Sequence, residues 1–186
     1  IDTPLHAFID YPHVEHVHPD AIIALACAKN GQALAREALG DRIGWLAWQR
    51  PGFDLGLKLR ELIREQPTLD GIVLQGHGLV TWGQTSQGCY ETTLRVIQDA
   101  IDWLSKQSES EAFGGEQISA LEPSKRQSVA ARLMPRIRGR ISSDRSKVGH
   151  FSDDPVVLEF VNSRDLDKLA PLGTSCPDHF LRTKAR

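Results

Sequence analysis

The segment Gly71-Ile-Val-Leu-Gln-Gly-His-Gly-Leu-Val-Thr-Trp-Gly83 limits what this chain can fold into more than any other stretch. Two short apolar runs meet at Gly76-His77-Gly78, and Gly83 closes the second run. Apolar, β-branched runs of this length bounded by glycine read as buried sheet strands, and glycine allows a bend that a side chain resists. The pattern predicts two strands joined at a tight bend, with His77 displayed on it.

The sequence around this hairpin supplies alternating strands and helices. Val14-Glu-His-Val-His18 alternates as a short strand does. After Pro19 the run Asp20 to Lys29 reads as a helix ended by Asn30-Gly31, and Gln32 to Leu39 as a second helical stretch stopped by Gly40. Gly44-Trp-Leu-Ala-Trp48 reads as a buried strand, followed by a turn at Pro51-Gly52. Leu55, Leu59, Leu62 and Ile63 share one face of a helix running to Glu65. A long amphipathic helix is expected from Gly88 to Lys106, with Leu94, Ile97, Ile101 and Leu104 inward.

The composition then changes. Residues 107–123 are rich in Ser, Glu and Gly, including Gly114-Gly115, and read as a linker. Pro123 to Ile141 is expected to form a basic helix, Val156-Val-Leu-Glu-Phe-Val161 a buried strand, and Ser163 to Leu169 a short helix. The organisation expected is a domain over 1–106, a linker over 107–123 and a connecting segment over 124–186. There is no internal repeat.

Composition excludes several classes. The formal net charge of −2 gives no global field to recruit nucleic acid or an anionic membrane. No apolar run approaches the roughly 20 residues of a membrane span, and the first residues lack the basic start of a secretory signal. Three cysteines, Cys27, Cys89 and Cys176, with no CxxC spacing argue against a disulfide framework. Each is expected to be a small buried hydrophobe in a protein of the reducing cytoplasm. The chain starts at Ile1 and its only methionine is Met134, so it reads as a piece of a longer protein.

Alternate residues of a strand point to one face, so His16 and His18 project together and their imidazoles can share a metal ion. His77, set between glycines, is the best candidate for a third ligand. Three histidines with an open fourth position is the arrangement of a catalytic zinc ion, although a His-x-His pair and a lone histidine each also occur in purely structural roles.

Val14-Glu-His-Val-His-Pro-Asp-Ala-Ile-Ile-Ala24 and Gly71 to Gly83 resemble the two signature segments of the class II aldolase/adducin family, and the helix starting Gly88-Cys-Tyr-Glu resembles the one that follows them there. The resemblance covers roughly residues 1–104. It implies a three-layer α/β/α fold around a mainly antiparallel sheet, followed here by a mostly helical connector, and commonly assembled as a tetramer. It also implies that His16, His18 and His77 are the zinc ligands.

The family's acid/base residue is a glutamate four residues ahead of a histidine. Asp2 stands four residues ahead of His6 and so takes that place, one methylene shorter. Ile1-Asp-Thr-Pro-Leu-His-Ala-Phe8 and Gly173-Thr-Ser-Cys-Pro-Asp-His-Phe-Leu-Arg-Thr-Lys184 resemble more narrowly the rhamnulose-1-phosphate aldolase/short-chain dehydrogenase fusions. The implied activity is zinc-dependent retro-aldol cleavage of L-rhamnulose 1-phosphate to dihydroxyacetone phosphate and L-lactaldehyde, with Asp2 carrying the proton. A sugar-phosphate epimerase or dehydratase on the same histidines, and a metal-free adducin-like assembly module, are the alternatives. No GxGxxG dinucleotide fingerprint occurs, and the family's phosphate-binding loops would lie upstream of Ile1.

Other chemically capable residues read more blandly. His6 and His13 lack partners at strand or helix spacing, although His6 sits where the family has a histidine. Cys176, Asp178 and His179 lack a distant ligand pair, and Tyr90 suits helix packing. The arginines between 126 and 140 read as the polar side of an amphipathic helix.

Overall fold

The computed structural model describes residues 3–107 and 111–174. The described residues fall into two compact units, one within 3–107 and one within 111–173.

The first unit runs α1 (Thr3–Phe8), β1 (His13–Val17), α2 (Asp20–Cys27), α3 (Gly31–Leu39), β2 (Ile43–Leu46), α4 (Phe53–Glu65), β3 (Gly71–Leu74), β4 (Gly78–Gly83) and α5 (Ser86–Gln107). Its strands form one sheet in the order β1-β4-β3-β2. β1 with β4 and β4 with β3 pair antiparallel, and β2 with β3 parallel. The parallel pair needs a crossover, which α4 provides. Asp70 N–H donates to the Arg42 carbonyl at 2.8 Å, and their side chains form an ion pair, so the two parallel strands start in register.

Strand alternation divides the core into two layers. Val73 and Leu79 face α2, α3 and α5, packing with Ile22, Leu25, Leu39 and Val96. Ile72, Leu74, Val80 and Trp82 face α1 and α4, packing with Leu5, Leu55 and Leu59. This is the expected three-layer α/β/α arrangement, with a small, mainly antiparallel sheet. β3 is buried at all four positions, as a strand covered on both faces must be.

Three details differ from the sequence reading. The buried strand expected over Gly44–Trp48 is the strand Ile43–Leu46 at the end of the sheet order, only part-buried beyond Ile43, and Trp48 lies outside it, 60% exposed. α5 buries Cys89, Thr93, Val96 and Ala100 rather than its largest residues, and Leu94 and Ile101 remain 47% and 45% exposed. Small side chains at i, i+4, i+7 and i+11 bring the helix close to the sheet, and the larger ones turn outward. Only Ile97 and Leu104 of the four expected inward residues pack against the core, both partly buried. α1 has no counterpart among the expected elements.

The second unit contains a short 3-10 turn (Ala112–Gly114), then α6 (Pro123–Ile141), α7 (Pro155–Val161) and α8 (Leu166–Leu169). Residues 113–118 are tied to 162–165 by main-chain hydrogen bonds, including Gln117 N–H to the Asn162 carbonyl at 2.8 Å and Arg164 N–H to the Gly115 carbonyl at 3.0 Å. Arg126 reaches Asp153 at 2.9 Å. The expected strand at Val156–Val161 is instead the helix α7. Pro155 in its first turn presets a helical φ, and Leu158 N–H donates to the Asp154 carbonyl at 3.0 Å. A β-branched run becomes a strand only where a neighbour offers a ladder, and among the described residues this unit holds a single isolated bridge, Glu116 with Ser163. Among the described residues no helix is long and apolar enough to cross a membrane.

Candidate metal centre

His16 lies in β1, and His18 just beyond its end. Pro19 follows His18, and a residue before proline is held extended, so the alternation continues one step past the strand. Both imidazoles therefore leave on one side. Val17 goes to the other, packing against the layer that contains Val96. The carbonyl of Pro19 accepts the Ile23 amide at 2.9 Å, so the strand passes directly into α2.

His77 arrives from the bend between β3 and β4. Its amide donates to the Leu74 carbonyl at 3.0 Å, closing a turn in which Gly76 adopts φ 64°. That left-handed conformation is easy for glycine and strained for residues with a Cβ. The bend is fixed from two sides: Gln75 N–H donates to the Leu46 carbonyl at 2.9 Å, and Gly76 N–H to the Ala26 carbonyl at 2.9 Å. The second bond also satisfies a carbonyl left over at the end of α2.

Gly78 has a different task from Gly76. A Cβ at position 78 would lie 2.3 Å from Cδ2 of His18 and 2.6 Å from the Val17 carbonyl oxygen. The absent side chain is the space that the His18 ring occupies. The two glycines flanking His77 thus serve the bend on one side and the His18 ring on the other.

The three rings converge. His16 Nε2 stands 3.0 Å from His18 Nε2 and 3.2 Å from His77 Nε2. His16 Nδ1 lies 3.0 Å from the Leu79 carbonyl oxygen. A carbonyl only accepts, so Nδ1 carries the proton and Nε2 presents its lone pair to the other two rings. A backbone carbonyl that fixes the tautomer of a ligand histidine in this way is the usual support of a metal site.

Nitrogens bound to one tetrahedral zinc ion at about 2.0–2.1 Å stand about 3.3 Å from one another. The separations of 3.0 and 3.2 Å approach that value. A single lone pair on His16 Nε2 cannot be matched equally by two facing imidazole nitrogens, whereas a cation at their shared point accepts all three. Among the described residues these three histidines are the one group of three or more His, Cys, Asp or Glu placed to hold a metal ion. His77 is buried at 6% exposure, with His16 and His18 part-buried, so one ligand is withdrawn from solvent while the centre stays reachable.

The remaining candidates are not brought to this centre. Asp2, Cys176, Asp178 and His179 lie outside the described residues. His6 and His13 are exposed and line a separate recess of about 310 Å³ with Tyr11, Glu15, Ser86 and Cys89. Tyr90 is exposed on α5. Cys27 is exposed, contrary to the expectation of a buried thiol, because it ends α2 on the solvent side. Cys89 is buried as expected, and that burial pushes its thiol above its ordinary pKa.

One polar group was not legible in the sequence. The Glu15 carboxylate, on the opposite face of β1 from His16, takes a hydrogen bond from the Thr93 hydroxyl at 2.6 Å. Alternation along β1 signals that Glu15 points away from His16, but nothing in the sequence pairs it with a helix 78 residues later.

Residues 1–100 match the sequence profile of the class II aldolase and adducin N-terminal domain, and residues 128–186 that of the second domain of class II aldolase. A Bacillus subtilis (strain 168) protein described as "Uncharacterized oxidoreductase YuxG" is 41% identical over 185 residues, which is 99% of this chain and 27% of that protein. The solved N-terminal class II aldolase domain of a conserved protein from Thermoplasma acidophilum superposes with a TM-score of 0.51 at 31% identity, over 55% of this chain and 47% of that one. The chain therefore spans about a quarter of the curated relative and less than half of the solved one.

Proposed function

Because this chain belongs to the class II aldolase and adducin family, we propose that His16, His18 and His77 hold a zinc ion and that the protein of which they are part cleaves a phosphorylated deoxy-ketose, L-rhamnulose 1-phosphate, to dihydroxyacetone phosphate and L-lactaldehyde. The observation that carries the reading is the convergence of three imidazole nitrogens, with His16 Nε2 3.0 Å and 3.2 Å from the other two. The ion supplies Lewis acidity toward neighbouring carbonyl and hydroxyl oxygens of a sugar.

The chain's own residues do the rest. All three ligands are neutral, so none offsets positive charge at the centre. The Leu79 carbonyl keeps the His16 proton on Nδ1, and the buried edge at His77 excludes water from one side. In this reading Asp2 carries the proton to and from the reacting carbon, in the place of the family's glutamate. The oxidoreductase description of the B. subtilis relative, of which this chain matches 27%, supports the picture of an aldolase region joined to a dehydrogenase. A homo-oligomer in a reducing cytoplasm, acting on a small sugar phosphate rather than on nucleic acid or membrane, belongs to the same proposal.

The test is product analysis with L-rhamnulose 1-phosphate and the protein with its adjoining domains, with and without added zinc. Dihydroxyacetone phosphate that forms only with the metal, and is lost in Asp2→Asn, supports the reading. An isomerised or dehydrated sugar phosphate would replace it with an epimerase or dehydratase. No turnover of any sugar phosphate by a protein that also binds no metal would leave the metal-free adducin-like module.

A further inference from the structure

β1 carries one metal ligand and leads into another, yet in the sheet order it lies at an edge. One side of it has the β4 ladder. The other has no strand among the described residues. An edge strand is the part of a sheet most prone to fray or rotate, and a small rotation of β1 would swing His16 and His18 away from His77.

A chain of hydrogen bonds through two buried threonines and the part-buried Glu15 acts against that rotation. Glu15 pairs directly across from Thr81 in the β1–β4 ladder, and both side chains face α5. There Thr93 lies 2.6 Å from Thr81 Oγ1 and 2.6 Å from Glu15 Oε2. Thr81 and Thr93 are 0% and 3% exposed. The proton order follows from chemistry. The Glu15 carboxylate accepts, so the single Thr93 proton goes to Glu15, and the Thr81 hydroxyl donates to the Thr93 oxygen. The Cys89 carbonyl also lies 3.0 Å from Thr93 Oγ1, but one proton cannot serve both acceptors, and the carboxylate is nearer and charged.

The three residues join β4, α5 and β1 on the face opposite the metal centre. On the metal face the same strand β4 holds His16 through the Leu79 carbonyl. β1 is therefore gripped on both faces, at consecutive residues, by Glu15 and His16.

Resting on the metal reading above, we propose that Thr93 is a positioning residue. Its hydroxyl, through Glu15, sets the rotation of β1 and so preorganises His16 and His18 for the metal. Ligand groups held in place before binding raise affinity, and loss of such outer supports typically costs about 10–100-fold in metal affinity.

The test is cobalt(II) titration of the 186-residue chain, read from the visible d–d bands, beside urea unfolding of the metal-free protein. Thr93→Val keeps the shape and removes the donor. It is expected to weaken cobalt binding by about 10–100-fold and to alter the band pattern. Thr93→Ser, which restores the hydroxyl, is expected to recover both. A residue that merely stabilises the fold would move the urea midpoint and leave the affinity and spectrum of the folded protein unchanged.

Wild-type affinity in Thr93→Val, or no recovery in Thr93→Ser, would overturn the assignment while leaving the metal site standing. Should Thr93→Val fail to fold, Glu15→Leu carries the test, because it removes the acceptor of the Thr93 hydroxyl and leaves the Thr81–Thr93 bond in place. It is expected to weaken cobalt binding by about 10–100-fold, and unchanged binding there would overturn the assignment. No cobalt uptake by the wild-type chain would overturn the metal reading and this inference together.

Discussion

Every buried apolar side chain among the described residues lies between Leu5 and Ala100, whereas α6, the second-longest helix at 19 residues, buries none of its residues. Both regions carry clear hydrophobic patterning. In the first unit the sheet gives helices two faces to cover, and residues such as Leu59, Ile72 and Val80 are sealed from water. In α6 the apolar residues Leu133, Ile137 and Ile141 recur every four positions beside Arg132, Arg136 and Arg140, yet Leu133 and Ile137 stay 47% and 48% exposed. A pattern of period 3.6 identifies the apolar side of a helix and not whether anything covers it. The three-histidine cluster sits in the region that holds the buried core, as a site dependent on distances near 3 Å requires.

That contrast can be broken or sharpened by substitution. The largest effect is expected at Gly78, where any Cβ overlaps the His18 ring and the Val17 carbonyl. Gly78→Ala should abolish stoichiometric metal uptake, measured by metal analysis after gel filtration. An alanine variant that still loads one ion would mean that His18 is not a ligand. Next comes Leu59→Ala, which opens a cavity at a side chain of 0% exposure. A loss of about 2–5 kcal/mol is expected in urea unfolding followed by fluorescence of the first unit's tryptophans.

Gly76→Ala should have a smaller effect, about 1–2 kcal/mol, because it forces a Cβ into a φ of 64° at the bend carrying His77. At the small end, Ile137→Ala in the half-exposed stripe of α6 should change stability by no more than about 0.5 kcal/mol. A loss at Ile137 as large as that at Leu59 would show that the stripe is covered in solution, and the contrast between the two regions would fail.

Within the first unit, thiol chemistry separates covered from open positions without mutation. The thiolate is the reactive form, and burial raises the Cys89 pKa, so less of Cys89 is thiolate at a given mildly alkaline pH. Exposed Cys27 is expected to be alkylated first, with Cys89 following only on unfolding, as read by peptide mass analysis.

The fold and the site were legible in the sequence to different depths. The Gly76-His77-Gly78 bend and the His16-x-His18 pair were readable because strand alternation and glycine permissiveness are local rules. The resemblance of those two segments to one family then placed them in one domain. Elements whose form is decided by distant neighbours were read less well. Val156–Val161 has strand composition, but with Pro155 ahead of it and no ladder beside it the segment closes its own hydrogen bonds as a helix. The largest residues of α5 point to the wrong face, because close approach to the sheet selects Cys89, Thr93 and Val96. The Thr81–Thr93–Glu15 chain was invisible for the same reason, since three ordinary residues acquire a role only when the ladder and α5 bring them together.

The most direct test of the three-histidine centre is zinc content of the purified 186-residue chain beside His16→Ala, His18→Ala and His77→Ala. About one zinc per wild-type chain is expected, with a loss of that zinc in each variant and folding retained by circular dichroism. No metal in the wild type after zinc is supplied, or full occupancy in any one of the three variants, would contradict it.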